Sequence, residues 1–430
     1  MLKYGVASPP STIVPPTLYH HNAARHQAHN CKYSLASSRT CTDLSQRITI
    51  LTLLGLYLAS RARSISLLYN NHPDRLVEVN QLPHYAIKYA DRIRNCEDAV
   101  MVPEDGLAIL SCDPGRDRWN TVMGTFTEDK SLIPHGDLTI YRYTGAEDDD
   151  KALTTIKLVD FPEIDKFHPL GVEYHRPSGQ LFVCNHHYAG SRVEIFSLDL
   201  SDPRHPTAHH QRTLIDATIR APNAILALSA NELYITNDHH YLQRTHPKLA
   251  KTETLSGTPG GALVYANTQT GEMRRVARIP FANGVARVNA STVAVASSST
   301  AAVYLYEVQP HDYSVRFLRS IPVPFFPDNL ETDQAGVLLI AGHPSMQGLE
   351  ATVKERLQCT GVPSEEERCY KAGAPSWVAE WTQERGVRDL YVTRGEFGSS
   401  STAGRDAERG VGLATGLYER GILVWSESGQ

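Results

Sequence analysis

Short apolar runs recur along the chain from about residue 90 to the C-terminus, and each has the length of a β-strand. Turn-forming stretches such as PEDG, RPSG and DQAG precede several of them. No long segment with helical periodicity alternates with the runs, which argues against βαβ units. The six runs are LAIL at 107, LFVC at 181, LYIT at 233, VAVA at 293, VLLI at 337 and ILVW at 422. The pattern predicts an all-β fold built from repeated units.

A polar residue stands at a nearly constant distance before four of these runs. The residues Asp98, Asn223, Asn283 and Asn329 precede their runs by 9, 10, 10 and 8 residues. Equivalent positions in the blades of a β-propeller converge on its central axis. The recurring offset therefore predicts a six-bladed β-propeller over residues 85–430, whereas a pair of β-domains would leave the offset unexplained. The polar segment from about 346 to 408 is interpreted as loops.

Composition and charge narrow the possible partners. The 430 residues carry a formal net charge of -5, with a pI near 6.4, so no basic field is available to hold phosphate backbones and nucleic acid is not an expected partner. Seven cysteines without CxxC spacing argue against a zinc site. Cys359 and Cys369 lie in one polar segment and can close a small disulfide in an oxidising compartment.

The N-terminal region carries a targeting signal. Residues 1–46 are rich in His, Ser, Thr and Asn and are expected to be a disordered extension. Residues 47–64 contain the apolar run ITILTLLGLYLAS, which is shorter than the ~20 apolar residues of a full membrane span. This segment is interpreted as a signal or signal anchor. We therefore expect entry into the secretory pathway, with a secreted or membrane-anchored product and possible membrane association through this segment.

The residues at the recurring offset, together with their acidic neighbours, are hard oxygen donors. They are three carboxylates and three amides: Glu97, Asp98, Asp328, Asn223, Asn283 and Asn329. Calcium accepts six to eight such oxygens in flexible geometry, whereas zinc prefers His and Cys. Turns and strand ends also favour Asn and Asp, but the repetition in one frame favours a calcium site on the propeller axis.

The same segments resemble the signature segments of the paraoxonase/arylesterase family. The matching stretches follow one another in order as CEDAVMVPEDGLAILS, FHPLGVEY, LFVCNHH, PNAILAL, LYITNDHHY, FANGV and FPDNLETD followed by GHP. They extend from about residue 90 to the C-terminus and are specific in combination. The resemblance implies a six-bladed propeller with two calcium ions in its central tunnel. It also implies hydrolysis of lactones, aryl esters and some phosphotriesters.

The resemblance implies a ligand set, with one departure. The catalytic calcium would be held by Glu97, Asn223, Asn283, Asp328 and Asn329, and Asp98 would belong to the structural calcium. Where the family has an aspartate for that second ion, this chain has Ala224. We therefore expect one catalytic calcium ion, with the second ion either lost or held by Asp98 and backbone carbonyls such as that of Val172.

A second departure concerns the histidines. The sequence HPLG places Leu170 where many family members have a catalytic histidine. The second histidine of the family's dyad matches His186, which is the first catalytic candidate. His168 is the other, because residues two apart in extended backbone face the same side. His239 and His343 match tunnel positions and are expected to line the pocket with Leu170.

These features predict a calcium-dependent hydrolase of aryl esters and lactones. Calcium would polarise the carbonyl, and His186, His168 or a ligating carboxylate such as Glu97 would accept a proton from the attacking water. The loss of a dyad histidine favours one alternative, a catalytically silent propeller that calcium stabilises and that binds a partner. The other alternative is an enzyme related by shape to gluconolactonase-like or strictosidine-synthase-like propellers. The expected ligand is a small ester or lactone.

Overall fold

The computed structural model describes residues 35–145, 149–359, 369–370 and 373–427. The chain divides into two compact units, Met1–Leu58 and Ala59–Gln430. Residues of helix α1 (Leu35–Asn70) occur in both units. Its stretch Gln46–Asn70 is long and apolar enough to cross a membrane, by length and composition. Signal sequences meet the same criteria. Of the predicted extension 1–46, residues 1–34 lie outside the described part of the chain. From Leu35 onward the chain is helical. The domain boundaries drawn from the sequence stay predictions.

The second unit is built from short strands. The strands of its first half are β1 (Val79–Asn80), β2 (Tyr85–Lys88), β3 (Cys96–Val102), β4 (Leu107–Cys112), β5 (Trp119–Asn120), β6 (Thr125–Phe126), β7 (Asp137–Arg142), β8 (Leu153–Thr155), β9 (Lys157–Val159), β10 (Pro169–His175), β11 (Gln180–Asn185), β12 (Arg192–Asp199), β13 (Thr207–Leu214), β14 (Pro222–Ala227) and β15 (Glu232–Asn237). The strands of its second half are β16 (Gly261–Asn267), β17 (Met273–Ile279), β18 (Ala282–Asn289), β19 (Thr292–Ser297), β20 (Ala302–Val308), β21 (Val315–Pro322), β22 (Phe326–Thr332), β23 (Leu338–His343), β24 (Ser376–Thr382), β25 (Gly386–Thr393), β26 (Ser400–Asp406), β27 (Val411–Gly416) and β28 (Ile422–Ser426). The helices between them are α2 (Asp149–Ala152), α3 (Pro247–Ser256) and α4 (Met346–Leu357).

These strands form six sheets of four or five strands, which are the blades of a propeller. From the axis outwards the blades are β3-β4-β7-β8, β10-β11-β12-β13-β9, β14-β15-β16-β17, β18-β19-β20-β21, β22-β23-β24-β25-β1 and β26-β27-β28-β2. Successive inner strands pack against one another around a closed ring. The predicted six-bladed, all-β propeller is confirmed, and the short strands β5 and β6 form a separate hairpin.

The ring is closed by pairing between the two ends of the unit. Strand β2 joins the C-terminal strand β28 in antiparallel register, with Ile87 opposite Leu423. Strand β1 likewise completes the fifth blade, with Val79 opposite Val392. Closure of this kind joins the first and last strands of the unit into shared blades. It also fixes the inner strands around one axis.

Two details of the sequence interpretation are wrong. Five of the apolar runs form the second strand of a blade, but ILVW forms the third strand of the sixth blade, β28, and the second strand is β27. The segment 346–408 is not made of loops alone, since it holds α4, β24, β25 and β26 within the residues described. Strand β26 is rich in Ser, Thr and Gly because it lies on the polar axis, where apolar side chains have no core to fill.

Two disulfides stabilise the second unit. Cys359 and Cys369 are bonded, as the sequence allowed. Cys96 and Cys112 also form a disulfide, between the neighbouring strands β3 and β4. Of the described cysteines, Cys184 is buried and free. Disulfides such as these are typical of proteins that fold in oxidising compartments.

Candidate functional site

Each of the six inner strands is irregular at the same level along the axis. The pairing with the second strand shifts in β3 between Cys96 and Asp98, in β10 between Pro169 and Val172, in β14 between Pro222 and Ile225, in β18 between Ala282 and Val285, in β22 between Pro327 and Leu330, and in β26 between Ser400 and Thr402. Such bulges re-aim side chains that would otherwise point into the sheet faces. Every residue predicted to bind metal lies at or beside one of these bulges.

Neighbouring inner strands approach very closely at this level. Gly284 follows Asn283 in the bulge of β18, and a Cβ atom added to it would lie 2.5 Å from the Cα atom of Asn329 in the next blade. A side chain at this position would therefore push the two strands apart. The glycine of FANG is required for the close approach that brings the donors of two blades together.

Four of the predicted ligands line one small cavity of about 40 Å³ on the axis. They are Glu97, Asn223, Asn283 and Asp328, and Leu170 and His343 share the cavity wall. Asn329 joins the group through Nδ2, which donates a hydrogen bond of 2.9 Å to Oε1 of Glu97. The tertiary structure thus brings together residues from four blades, of which Glu97 and Asn329 are 232 positions apart in the chain.

Several side-chain oxygens of the predicted ligands accept no hydrogen bond from the described residues. Asn283 uses Nδ2 to donate to Ser298 Oγ at 3.1 Å and to Asp328 Oδ1. Asn329 uses Nδ2 for Glu97 and for Thr402 Oγ1 at 3.0 Å. Four buried oxygens have no hydrogen-bond donor among the described residues: Glu97 Oε2, Asn223 Oδ1, Asn283 Oδ1 and Asn329 Oδ1. Burying an oxygen that accepts no hydrogen bond costs folding free energy unless a cation coordinates that oxygen.

Of the described side chains, Arg116 is the cation that acts on Glu97, and it balances the negative charges of the site only in part. Burial, followed by repulsion from Asp328 and Asp98, raises the pKa of Glu97 well above its ordinary value, and Arg116 opposes this only in part. No group of three His, Cys, Asp or Glu side chains suited to a metal occurs in the part of the chain that the structure describes. The donor set is instead dominated by amide and carboxylate oxygens, which fit a hard divalent cation.

As in Asp328, protein donors occupy both oxygens of Asp98. Oδ1 accepts hydrogen bonds from the backbone N–H of Ala99 and from Thr402 Oγ1, each at 2.9 Å, and Oδ2 accepts one from the N–H of Val172 at 2.9 Å. Burial raises the pKa of Asp98 to about 6. A second cavity of about 230 Å³ is lined by Asp98 and by Ala224, whose methyl group offers no oxygen. These residues do not fit a second ion in the way that the first site fits one.

His343 shares the small cavity with Glu97, Asn223, Asn283 and Asp328. These four residues and Asn329, the ligands expected from the sequence, are called the metal-site residues below. Nε2 of His343 is 3.0 Å from Oδ2 of Asp328, and both side chains are buried. In the neutral ring, donation from Nε2 to the Asp328 carboxylate leaves a lone pair on Nδ1. Nδ1 has no hydrogen-bond partner among the described residues. His343 can therefore accept a proton at Nδ1.

The two histidines predicted to be catalytic occupy different surroundings, because neither lines the cavity of the metal-site residues. Both ring nitrogens of His186 are engaged, with Nδ1 2.6 Å from Thr121 Oγ1 and Nε2 2.8 Å from the carbonyl of Pro222. Burial lowers the pKa of His186 to about 4, so its ring is neutral. His168 is buried with Nδ1 3.2 Å from the carboxylate of Asp113, and its Nε2 has no partner in the described residues. Their catalytic role stays a prediction.

The remaining pocket residues lie above and beside the small cavity. Leu170 is buried in its wall, so an apolar group occupies the position of the family's histidine. His239 lines a larger cavity of about 630 Å³ and bonds to Asp238 through Nδ1 at 3.0 Å and to Thr254 through Nε2 at 2.6 Å. Burial alone would lower the pKa of His239, but the Asp238 carboxylate raises it above its ordinary value.

The sequence interpretation missed the polar residues that hold the ligands in place. Thr402 contacts Asp98 and Asn329, and Ser298 holds Asn283 while it donates to the carbonyl of Pro327 at 2.7 Å. A signal for Thr402 was available, because it precedes the start of β27 at Val411 by 9 residues, as Asp98 precedes its own strand. The sixth run predicted from the sequence, ILVW, is the third strand of its blade, whereas VGLAT in β27 is the second strand and has the expected spacing from Thr402.

The fold and the site together define the class as a six-bladed propeller with a cluster of buried oxygen donors on its axis. A family model described as Arylesterase matches residues 130–357, which is just over half of the chain. The chain therefore belongs to the arylesterase family. It is 24% identical to human (Homo sapiens) serum paraoxonase/arylesterase 1 over 323 residues, which cover 70% of this chain and 80% of that protein.

Solved propeller structures are also similar to this chain, at low identity. A luciferin-regenerating enzyme is 11% identical, with a TM-score of 0.48 and coverage of 81% of this chain and 96% of that one. A gluconolactonase from Xanthomonas campestris is 12% identical, with a TM-score of 0.40 and coverage of 81% and 99%. These likenesses are too distant to bear on the reaction.

Proposed function

We propose that the protein is a calcium-dependent hydrolase of carboxylic esters, with aryl esters and lactones as its substrates. The observation that carries the proposal is the set of four buried oxygens without donors, from Glu97 and from three asparagines of different blades. Membership of the arylesterase family supports ester hydrolysis. Calcium fits the donor set because it accepts many amide and carboxylate oxygens in flexible geometry.

The residues that would hold calcium are Glu97, Asn223, Asn283, Asp328 and Asn329. When bound there, the ion supplies polarisation of the substrate carbonyl and stabilisation of the developing oxyanion. Ser298 and Thr402 keep the amides of Asn283 and Asn329 oriented through their NH₂ groups, so that the carbonyl oxygens stay available.

His343 is the proposed proton carrier of the reaction. Asp328 holds the proton of His343 on Nε2, so Nδ1 can accept a proton from the attacking water and later return it to the leaving alkoxide or phenoxide. Leu170 and the apolar residues around it exclude bulk water from this step. Of the candidates from the sequence, His186 would act in the same role only after a change of its present hydrogen bonds. Nε2 of His168 has no partner among the described residues, but His168 does not line the small cavity.

Removal of calcium tests the proposal. Treatment with EDTA is expected to abolish hydrolysis of para-nitrophenyl acetate and of a γ-lactone, and added calcium is expected to restore it, because oxyanion stabilisation is lost with the ion. Thermal stability is measured in parallel. Full turnover after removal of calcium would refute the mechanism. Calcium binding and thermal stabilisation without turnover of any ester or lactone would instead support the silent propeller, which the buried Leu170 also favours.

We also propose that the protein binds one calcium ion and not two. Ala224 lines the cavity beside Asp98 and lacks the carboxylate that the second site would need. Metal analysis of the dialysed protein is expected to give one calcium per chain. Ala224→Asp places a carboxylate in the cavity beside Asp98 and is expected to raise the ratio to two, whereas Ala224→Asn, of the same size without charge, is expected to leave it at one. A ratio of two in the unaltered protein would contradict the proposal.

The proposed location is the secretory pathway, with α1 as a signal or membrane anchor. The large side chains from Ile48 to Leu58 are exposed along this helix. The disulfides Cys96–Cys112 and Cys359–Cys369 are consistent with an oxidising compartment. Membrane association through α1 follows from the same apolar run.

A further inference from the structure

The large cavity of about 630 Å³ continues directly from the small cavity of the metal-site residues. Six residues line both cavities: Val122, Met123, Phe281, Ser298, Phe326 and Met346. All except Ser298 are apolar, so the passage from the metal-site residues into the larger space is hydrophobic. A volume of this size is typical of a pocket that encloses most of a small ligand.

The wall of the large cavity includes the last turns of α1. Ser64, Ile65 and Leu68 line it, and their spacing of one and three residues places them on adjoining parts of one helix face. Ile65 is 52% exposed, so it lies at the cavity mouth, whereas Leu68 is half-buried. The last turns of α1, of which Ser64 belongs to the segment 47–64 interpreted as a signal or anchor, thus form part of the pocket in the second unit.

Hydrogen bonds hold these turns of α1 in place. Arg61 Nη2 donates to the carbonyl of Ser299 at 2.7 Å, and Ser64 Oγ donates to the same carbonyl at 3.3 Å. Asn71 Nδ2 donates to the carbonyl of Pro324 at 2.7 Å. The acceptors lie in the loop that follows β19 and in the loop that precedes the inner strand β22, which carries Asp328 and Asn329. Leu68 therefore has a defined position in the pocket.

Two further helices complete the enclosure. Thr254 and Leu255 of α3 and Val353 and Leu357 of α4 line the cavity opposite the axis. Lys251 of α3 and Glu350 of α4 form an exposed ion pair of 3.3 Å at the rim. Charged groups therefore lie at the rim, and the interior of the cavity is mainly apolar. An apolar ligand gains free energy in such a space by leaving water.

We propose that this cavity binds the acyl chain of a medium- to long-chain carboxylic ester and that Leu68 of α1 determines the preferred chain length. The inference rests on the proposed ester hydrolysis, because the carbonyl has to reach the metal-site residues while the chain extends into the larger space. The N-terminal helix is then a part of the substrate pocket as well as a targeting element.

The test uses the full chain loaded with calcium and the para-nitrophenyl esters of acetate, butyrate and octanoate. Leu68→Trp fills part of the cavity, so the ratio of kcat/KM for octanoate to kcat/KM for acetate is expected to fall about tenfold or more. Leu68→Ala removes contacts with the chain and is expected to lower the same ratio by a smaller factor. Ala62→Trp adds the same ring to an exposed position of α1 that does not line the cavity, and is expected to leave the ratio unchanged.

Binding separates this inference from the proposed reaction. Octanoate binding to the calcium-loaded protein, followed by calorimetry, is expected to be weakened by Leu68→Trp and not by Ala62→Trp, whether or not esters are hydrolysed. Hydrolysis with a ratio that does not respond to Leu68, or no binding of octanoate, would overturn the inference. Octanoate binding that responds to Leu68 without hydrolysis of any ester would keep the pocket and overturn the reaction.

Discussion

Replacing Glu97 with glutamine is expected to lower kcat/KM for para-nitrophenyl acetate by about a thousandfold and to weaken calcium binding strongly. The substitution removes one of the two carboxylates that line the small cavity while it keeps the shape of the side chain. An oxygen remains to accept the hydrogen bond from Asn329 Nδ2. The loss reflects the charge that stabilises the cation and, through it, the oxyanion. Activity assays with a calcium titration measure both effects.

Although it weakens calcium binding, the same substitution is expected to raise the free energy of unfolding of the metal-free protein at high pH. Burial and the neighbouring carboxylates raise the pKa of Glu97 well above its ordinary value of 4.5, so the folded state binds this proton more tightly than the unfolded state does. The associated stability is complete below pH 4.5 and is lost as the pH rises through the raised pKa. Glu97→Gln removes the titrating group and therefore this loss of stability. Thermal melts in EDTA, from pH 4.5 upwards, should show a smaller fall in melting temperature for the variant than for the unaltered protein.

Two outcomes would contradict this account of Glu97. Retention of full activity by Glu97→Gln would remove the residue from the metal site. An equal decline in melting temperature for both proteins would assign the pH dependence to other buried acids. Asp98 and Glu173 are the alternatives, since burial raises their pKa values to about 6 and about 7.

Replacing His343 with glutamine is expected to lower kcat by a factor of about 10² to 10⁴, which is the usual contribution of general acid–base catalysis. Glutamine keeps an N–H group that can donate to Asp328 Oδ2, so calcium binding should change little. It has no nitrogen lone pair to accept a proton, so proton transfer from the attacking water should be lost. Steady-state kinetics across pH, with calcium affinity measured separately, test this expectation.

His186→Gln is the matched control, since both histidines are buried. Both nitrogens of His186 make hydrogen bonds, so its loss is expected to lower the melting temperature with a smaller effect on kcat. If His186→Gln abolishes turnover and His343→Gln does not, the proton carrier is His186, as the sequence comparison predicts. A large loss of kcat in both variants would show that turnover needs both histidines.

The structure also clarifies which parts of the fold a single sequence reveals. The five apolar runs that became second strands were recognisable because each lies in the core and is bounded by turn residues. The sixth blade was harder to place, because β26 has the composition of a loop and its polar side chains meet those of other blades. A strand whose partners are distant in the chain carries no local signal for its neighbours.

The sequence by itself determined the class of fold, the set of oxygen donors and the loss of the histidine at Leu170. Repetition in one frame is a local property, and a donor type is a property of the residue, so both can be read along the chain. The tertiary structure decided which donors converge, that Asp98 is occupied by protein hydrogen bonds, and that His343 lies in the small cavity while His186 does not. These outcomes depend on six bulges at one level and on distances between blades, which closure of the ring sets and local sequence does not.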